Sequence, residues 1–213
     1  VEAVGVTAVA IGDPYITRDQ LKDWIGVRDS DTTQNTRLDQ RIAGATEDIT
    51  RWTHRQFGRS ETATDRTFRP GRSGLDTHDF WTLTGLVLTP YLGQTAGTAW
   101  DQTQLVFEPL DGIVDMTPGW PYSRVTSLYG GHPLTCALFY AATTVKVTAK
   151  WGWENVPAGV VTAALLLAAD VNKSKDTPFG VQGFGDYAMR IRANPLAEEK
   201  LRPYMIDEIQ VAS

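Results

Sequence analysis

The chain has 213 residues, with 20 basic and 25 acidic side chains, a net charge of −5 and a pI near 5.2. That length suits one domain, or one domain with an elaboration, and the acidic balance is not the footprint of a protein that grips nucleic acid through a basic patch. Cys136 is the single cysteine, so no internal disulfide can form; no apolar run approaches the roughly 20 residues of a membrane span, and the N-terminus lacks the basic-then-apolar pattern of a signal peptide.

Residues 1–14 are small and apolar without a clear period and read as an N-terminal arm. Thr17 with Gln20 three residues later forms a capping box, and Ile16 and Leu21 are placed for the hydrophobic staple around it. Leu21, Trp24 and Ile25 then give a short apolar face, and Gly26 is a left-handed stop. After a polar linker over 28–35, a long helix is predicted to start between Asp31 and Gln34. Leu38, Ile42, Ala45, Ile49, Trp52 and Phe57 recur along it at spacings of three, four and seven. Gly44, mid-helix, predicts close packing against a neighbour, and Gly58 is the natural stop.

From Glu61 to Lys150 the texture changes. Thr62–Phe68, Thr82–Leu88, Gln104–Glu108, Ser123–Tyr129 and Thr144–Lys150 are threonine-rich and β-prone, with glycine and proline between them. They predict an antiparallel section of about five or six short strands. Asp111-Gly112 carries a hairpin-turn signal.

The last of these strands alternates Val145, Val147, Ala149, Trp151 and runs into Trp151-Gly152-Trp153-Glu154-Asn155-Val156-Pro157. Pro157 suits the first position of a helix. Val160, Val161, Ala164, Leu165, Ala168 and Val171 follow on one face, with Leu166 and Leu167 widening it, as in a core or subunit-contact helix. A glycine-rich loop over Pro178–Gly185 and a strand near Tyr187–Arg192 come next. Asn194-Pro195 then starts a last helix with Leu196 and Leu201 inside, which Pro203 bends or ends. Tyr204, Ile206 and Ile209 continue as an amphipathic tail. The fold class predicted is α+β: a small bundle of about four helices with an inserted antiparallel β section. Residues 15–60 and 144–205 form the helical body, 61–143 the insertion and 206–213 the tail.

Chemical signals are few. Gly183-Phe184-Gly185-Asp186-Tyr187-Ala188 fits a loose G-x-G-x-x-A, but a helix precedes it and a strand follows, the reverse of a dinucleotide site. His54, His78 and His132 show no metal-ligand spacing, and no nucleophile, P-loop or zinc-protease pattern occurs. No catalytic, cofactor or metal residue is nominated. Seven tryptophans are many for this length. Trp24 and Trp52 read as core; Trp81, Trp100 and Trp120 read first as core of the sheet, and in a second reading as a stacking platform for a carbohydrate or another surface.

In its order of elements, the chain resembles the head-to-tail connector (adaptor) proteins of long-tailed bacteriophages. The resemblance spans most of residues 15–205. It rests most specifically on the Trp151-Gly152-Trp153…Val156-Pro157 corner and on the helix end Ile49-Thr50-Arg51-Trp52-Thr53-His54-Arg55-Gln56-Phe57. It implies a virion protein without enzymatic activity and without a cofactor: a homo-oligomeric ring, typically of twelve copies, under the portal protein at the capsid vertex. It further implies a stopper or tail-completion protein as the next partner, double-stranded DNA passing through the lumen without sequence-specific binding, no membrane, and assembly in the host cytoplasm. Leu196, Leu201, Tyr204, Ile206 and Ile209 are the residues it points to for portal docking. Trp151, Gly152, Trp153, Val156 and Pro157 form the structural corner. The competing class is a binding module built on Trp81, Trp100 and Trp120.

Overall fold

The computed structural model describes residues 8–71, 74–128, 142–173 and 194–206. Among the described residues, four helices and a mainly antiparallel sheet make the protein α+β. The chain divides into two compact units: one built from residues up to Phe57 and from Val156 to Ile206, the other from Gly58 to Asn155.

The first unit is helical. Helix α1 (Arg18–Ile25) starts at a complete capping box: Gln20 N–H donates to Thr17 Oγ1 at 3.2 Å, and Thr17 N–H donates to Gln20 Oε1 at 2.8 Å. Gly26 closes it in the left-handed conformation at φ 72. Leu21 and Ile16 are buried, whereas Trp24 is 50% exposed, so the expectation of a core role for Trp24 is overturned. The linker after α1 is held by a buried lysine: Lys22 Nζ donates to the carbonyls of Asp29 at 3.0 Å and Asp31 at 2.8 Å. Those two bonds satisfy an ammonium group that would otherwise be costly to bury.

Helix α2 (Asn35–Thr53) buries Leu38, Ile42, Ala45, Ile49 and Trp52, the predicted stripe. It stops before Gly58: His54 takes the left-handed cap at φ 55. The early stop lets Phe57 turn into the core, edge-on to both Tyr15 and Tyr204. The Tyr15 hydroxyl ties the arm to this end of α2, lying 2.6 Å from Thr50 Oγ1, donating to Gln56 Oε1 at 2.8 Å and accepting from Phe57 N–H at 3.3 Å. Burial raises its pKa.

Helix α3 (Ala158–Lys173) is the central helix, lying against α1, α2 and α4 (Pro195–Leu201). Val160, Val161, Ala163, Ala164, Leu165, Leu167, Ala168 and Ala169 are buried on it. Pro157 sits one position before the predicted one, its carbonyl accepting the N–H of Val161 at 3.1 Å. Asn194 caps α4 by accepting the Ala197 N–H at 3.0 Å, and its amide donates to Asp170. The chain then tightens into a 3-10 turn over Arg202–Tyr204, where Pro203 ends the α-helix.

The close approach expected at Gly44 lies elsewhere. A Cβ on Gly44 meets nothing within 4 Å, whereas one on Gly159 would lie 3.2 Å from the Lys200 carbonyl oxygen and 3.3 Å from the Tyr204 ring. Gly44→Ala is therefore expected to raise the stability of the isolated subunit by about 0.4–1 kcal/mol. Urea unfolding checks this, and a net loss would mean that the open face of α2 is occupied.

The second unit is a sheet. Its strands are β1 (Thr64–Phe68), β2 (Gly74–Leu92), β3 (Thr95–Ala96), β4 (Leu105–Glu108), β7 (Tyr122–Ser127) and β8 (Thr144–Trp151), in the order β1-β8-β2-β7-β4 with β3 on β2. All pairings are antiparallel. A separate hairpin joins β5 (Ile113–Val114) to β6 (Thr117–Pro118). The five predicted strands overlap β1, β2, β4, β7 and β8, with ends that differ by a residue or two except in β2. Strand β2 is not short: at 19 residues it pairs first with β7 and then with β8. Register breaks between Phe80 and Val87 let it bend. The predicted alternation along β8 is observed: Val145, Val147, Ala149 and Trp151 are buried, and the residues between them are half-buried. They join Leu75, Phe80, Leu86, Leu88, Leu105 and Val125 in one core.

The hairpin turn is not Asp111-Gly112. The two residues between β5 and β6 are Asp115 and Met116, at φ 48 and 62, the positive φ that tight two-residue hairpins require. Asp111-Gly112 lies one turn earlier, in a 3-10 turn over Leu110–Gly112. Cys136, His132, the glycine-rich loop, the strand near Tyr187–Arg192, Ile209 and the tail beyond Ile206 lie outside the described residues.

Candidate functional site

Trp151 ends β8 on the core face, where the predicted alternation puts it, 1% exposed. Its indole Nε1 donates to the Thr64 carbonyl at 2.9 Å, its backbone N–H donates to Ser60 Oγ at 2.8 Å, and its carbonyl accepts from Ser60 N–H at 2.8 Å. The Arg66 guanidinium lies 4.5 Å from the ring centroid, and Phe68, Phe80 and His78 approach the same ring. Arg66 Nη1 is 2.8 Å from His78 Nδ1. Arginine can only donate, so this imidazole nitrogen accepts and is unprotonated. Burial first, and the Arg66 charge second, push the His78 pKa down, with Asp79 opposing them.

Gly152 has φ 97, a conformation L-residues rarely adopt, and its N–H donates to the Asp79 carbonyl at 2.7 Å. The segment Gly58–Ser60 runs alongside, bridged through Arg59. A Cβ on Gly152 would lie 1.8 Å from the Gly58 carbonyl oxygen. Only a glycine lets the two backbones come this close. Trp153 is also buried: its Nε1 donates to Asp79 Oδ2 at 2.9 Å, and its ring centroid is 5.0 Å from that of Trp120. Arg59 Nη1 donates to the Glu154 carbonyl at 3.1 Å. Val156 and Pro157 belong to the helical unit, Val156 buried there and Pro157 accepting the first bonds of α3.

Trp81, Trp100 and Trp120 do not form an exposed strip. Each is half-buried and differently engaged. Trp81 donates to the Ser60 carbonyl at 3.1 Å and carries Arg59 and Lys150 near its ring, at 5.0 and 5.5 Å. Trp100 packs on the sheet core, and Trp120 packs on Trp153. The three rings are thus engaged at three different places, Trp81 beside Arg59 and Lys150, Trp100 against the sheet core and Trp120 against Trp153.

Along the C-terminal segment, Leu201 is fully buried in the helical unit, while Leu196, expected inside, is 47% exposed. Tyr204 is half-buried, edge-on to Phe57, and its carbonyl accepts from Arg55 Nε at 2.8 Å. Burial raises the Tyr204 pKa. Ile206 N–H donates to the Thr53 carbonyl at 3.2 Å. Thus Leu201 and Tyr204 are tied into the subunit itself, and Leu196 presents its side chain outward. Among the described residues no group of three or more His, Cys, Asp and Glu is placed to hold a metal, and no helix is long and apolar enough to cross a membrane.

No family model matches the chain, and no curated protein is similar to it in sequence. Among solved structures, it is similar to a chain in the neck of an empty GTA particle computed with C6 symmetry. That likeness has 16% identity and a TM-score of 0.49, and covers 95% of each chain.

Two features of the corner have no signature in the sequence. Asp79, at the end of the polar stretch Asp76–Asp79 of β2, receives both the Trp153 indole on its carboxylate and the Gly152 N–H on its backbone carbonyl. Arg59 bridges Gly152 and the Glu154 carbonyl. Both partners are distant in sequence, so no local pattern announces them.

Proposed function

We propose that this chain is a structural virion protein: a head-to-tail adaptor that forms a ring under the portal, links it to the stopper or tail, and lets double-stranded DNA pass. The observation that carries the reading is the order of elements. A capped short helix, a long helix, an inserted sheet, the Trp-Gly-Trp corner, an apolar helix and a short terminal helix follow one another as in the connector proteins that the sequence resembles. The corner fits a holding role, since its indoles and its glycine are engaged in packing and hydrogen bonds. A heterologous contact that closes by rotation generates such a ring.

In this reading the helical unit forms the ring body and the sheet unit faces the stopper or neighbouring subunits. Portal docking falls to Leu196 and to the chain from Ile206 through Ile209, because Leu201 is buried in its own subunit. Mass measurement with negative-stain imaging tests the ring. A chain that stays monomeric even with portal present would sink the proposal. Leu196→Glu is expected to weaken portal capture while leaving the unfolding free energy within about 0.5 kcal/mol of the parent, and removal of residues 207–213 is expected to weaken portal capture as well. Removal from residue 194 onward is expected to cost folding, since Ala197 and Leu201 are wholly buried.

A further inference from the structure

Strand β1 is an edge of the sheet, bonded along one side to β8. Its side chains reach one strand further. Arg66 lies over the Trp151 ring of β8, and its Nη1 meets His78 Nδ1 on β2 at 2.8 Å. Phe68, two residues along β1, stands edge-on to the same imidazole with ring centroids 5.2 Å apart. Arg66 and Phe68 thus clamp β1 across β8 onto His78. The imidazole lies where the pairing of β2 with β7 is interrupted, between Asp76 and Phe80, so that stretch of strand can shift without breaking a regular ladder.

The clamp depends on one imidazole lone pair. A guanidinium only donates, so its bond to His78 exists only while Nδ1 is unprotonated. Adding a proton there sets two cationic donors against each other. Among the described residues Arg66 has no carboxylate in ion-pair reach to take over as acceptor. His78 is exposed, so protons reach it from solvent. The charges that act on it are Arg66 from β1, which opposes protonation, and Asp79 on its own strand, which favours it. The rings that pack on it, Phe68 from β1 and Trp151 from β8, are uncharged.

We propose that Arg66, Trp151 and His78 form an acid-released clamp on the edge strand, in which protonation of His78 frees β1 and uncovers the edge of β8. An uncovered edge is a template for another strand. Burial, and after it the Arg66 charge, hold the folded imidazole below its ordinary pKa of 6.5. The contribution of the clamp is therefore complete above that value and is lost as the pH falls through it toward the lower, folded value. Asp65, the carboxylate of β1, is held below the usual carboxylate range by hydrogen bonds from Thr148 and then Lys146, so it stays charged across this window.

Amide hydrogen exchange on the full chain between about pH 7.5 and 5 tests it, read as protection factors so that the intrinsic pH dependence of exchange cancels. The amides of β1 that bond to β8 are expected to lose at least about threefold in protection relative to those of α2. His78→Asn sets a side-chain oxygen near the place of Nδ1, an acceptor that does not titrate. It is expected to hold β1 protection constant to within about 1.5-fold over the same range. Arg66→Gln removes the charge, and the His78 titration, followed by the NMR signal of its Cε1–H, is expected to move up toward 6.5. Thermal melting at the higher pH checks folding. If His78→Asn does not fold, Arg66→Gln decides, through that midpoint and a smaller loss of β1 protection. A parent with pH-independent β1 protection, a loss that persists in full in His78→Asn, or a parent His78 midpoint at or above 6.5 overturns the clamp. None of these outcomes bears on the ring.

Discussion

Gly152→Ala is expected to destabilise the sheet unit by more than about 4 kcal/mol, a size of loss that needs a specific structural cause. Two costs combine. At φ 97 an L-residue is strained by about 1–3 kcal/mol. The new methyl would also lie 1.8 Å from the Gly58 carbonyl oxygen, which is backbone and cannot rotate away. Relief requires moving the Gly58–Ser60 segment, and with it the bonds between Ser60 and Trp151. Gly85→Ala is the control: it has φ 81 but nothing within 4 Å of the added carbon, so it bears only the conformational strain. Urea unfolding of both variants separates the steric part from the strain. Equal losses would show that the two backbones do not approach as closely as described.

The second large effect is at the neighbouring indole. Trp151→Ala is expected to cost about 3–5 kcal/mol, as large aromatic deletions in a packed core do. The side chain is 1% exposed, and it donates to the Thr64 carbonyl that holds the edge strand β1. Its removal takes the indole donor from that carbonyl, takes the ring from under Arg66, and strips contacts from Phe68 and Phe80. Trp151→Phe is expected to recover more than half of the loss, because most of the effect is buried apolar area. Trp24→Ala, at a half-exposed ring, is expected to change stability by less than about 1 kcal/mol. The same urea titration measures all three. A loss below about 1 kcal/mol at Trp151 would mean that its ring lies on the surface.

What the sequence announced and what it hid divide along the reach of the interactions. The Thr17–Gln20 box, the stripe from Leu38 to Trp52 and the alternation of β8 are local, set by neighbours within one or two turns or along one strand. Trp24 misleads because helical spacing gives a face but not what covers it; α1 is only eight residues long, and its packing on α3 and α2 leaves that ring half in solvent. The first half of β2 was hidden by Thr77-His78-Asp79, polar residues whose partners lie on β1 and at the corner. Gly58 looked like the helix stop, but the tertiary demand to bury Phe57 stops α2 at His54. Of the residues nominated for docking, Leu201 is hydrophobic for its own core and Leu196 is not. Nothing in their spacing distinguishes them, because the difference is made by α3 on the other side of α4.

The lysine under the α1–α2 linker carries a different kind of consequence. Lys22 holds the carbonyl oxygens of Asp29 and Asp31, atoms that every amino acid possesses. Replacing Asp29 or Ser30 by another residue leaves this latch its acceptors, whereas adding or removing one residue shifts the carbonyls away from the ammonium group. Positions 29 and 30 are thus free to drift in composition among descendants of this chain, while the number of residues between Lys22 and Asp31 is constrained by a single amine.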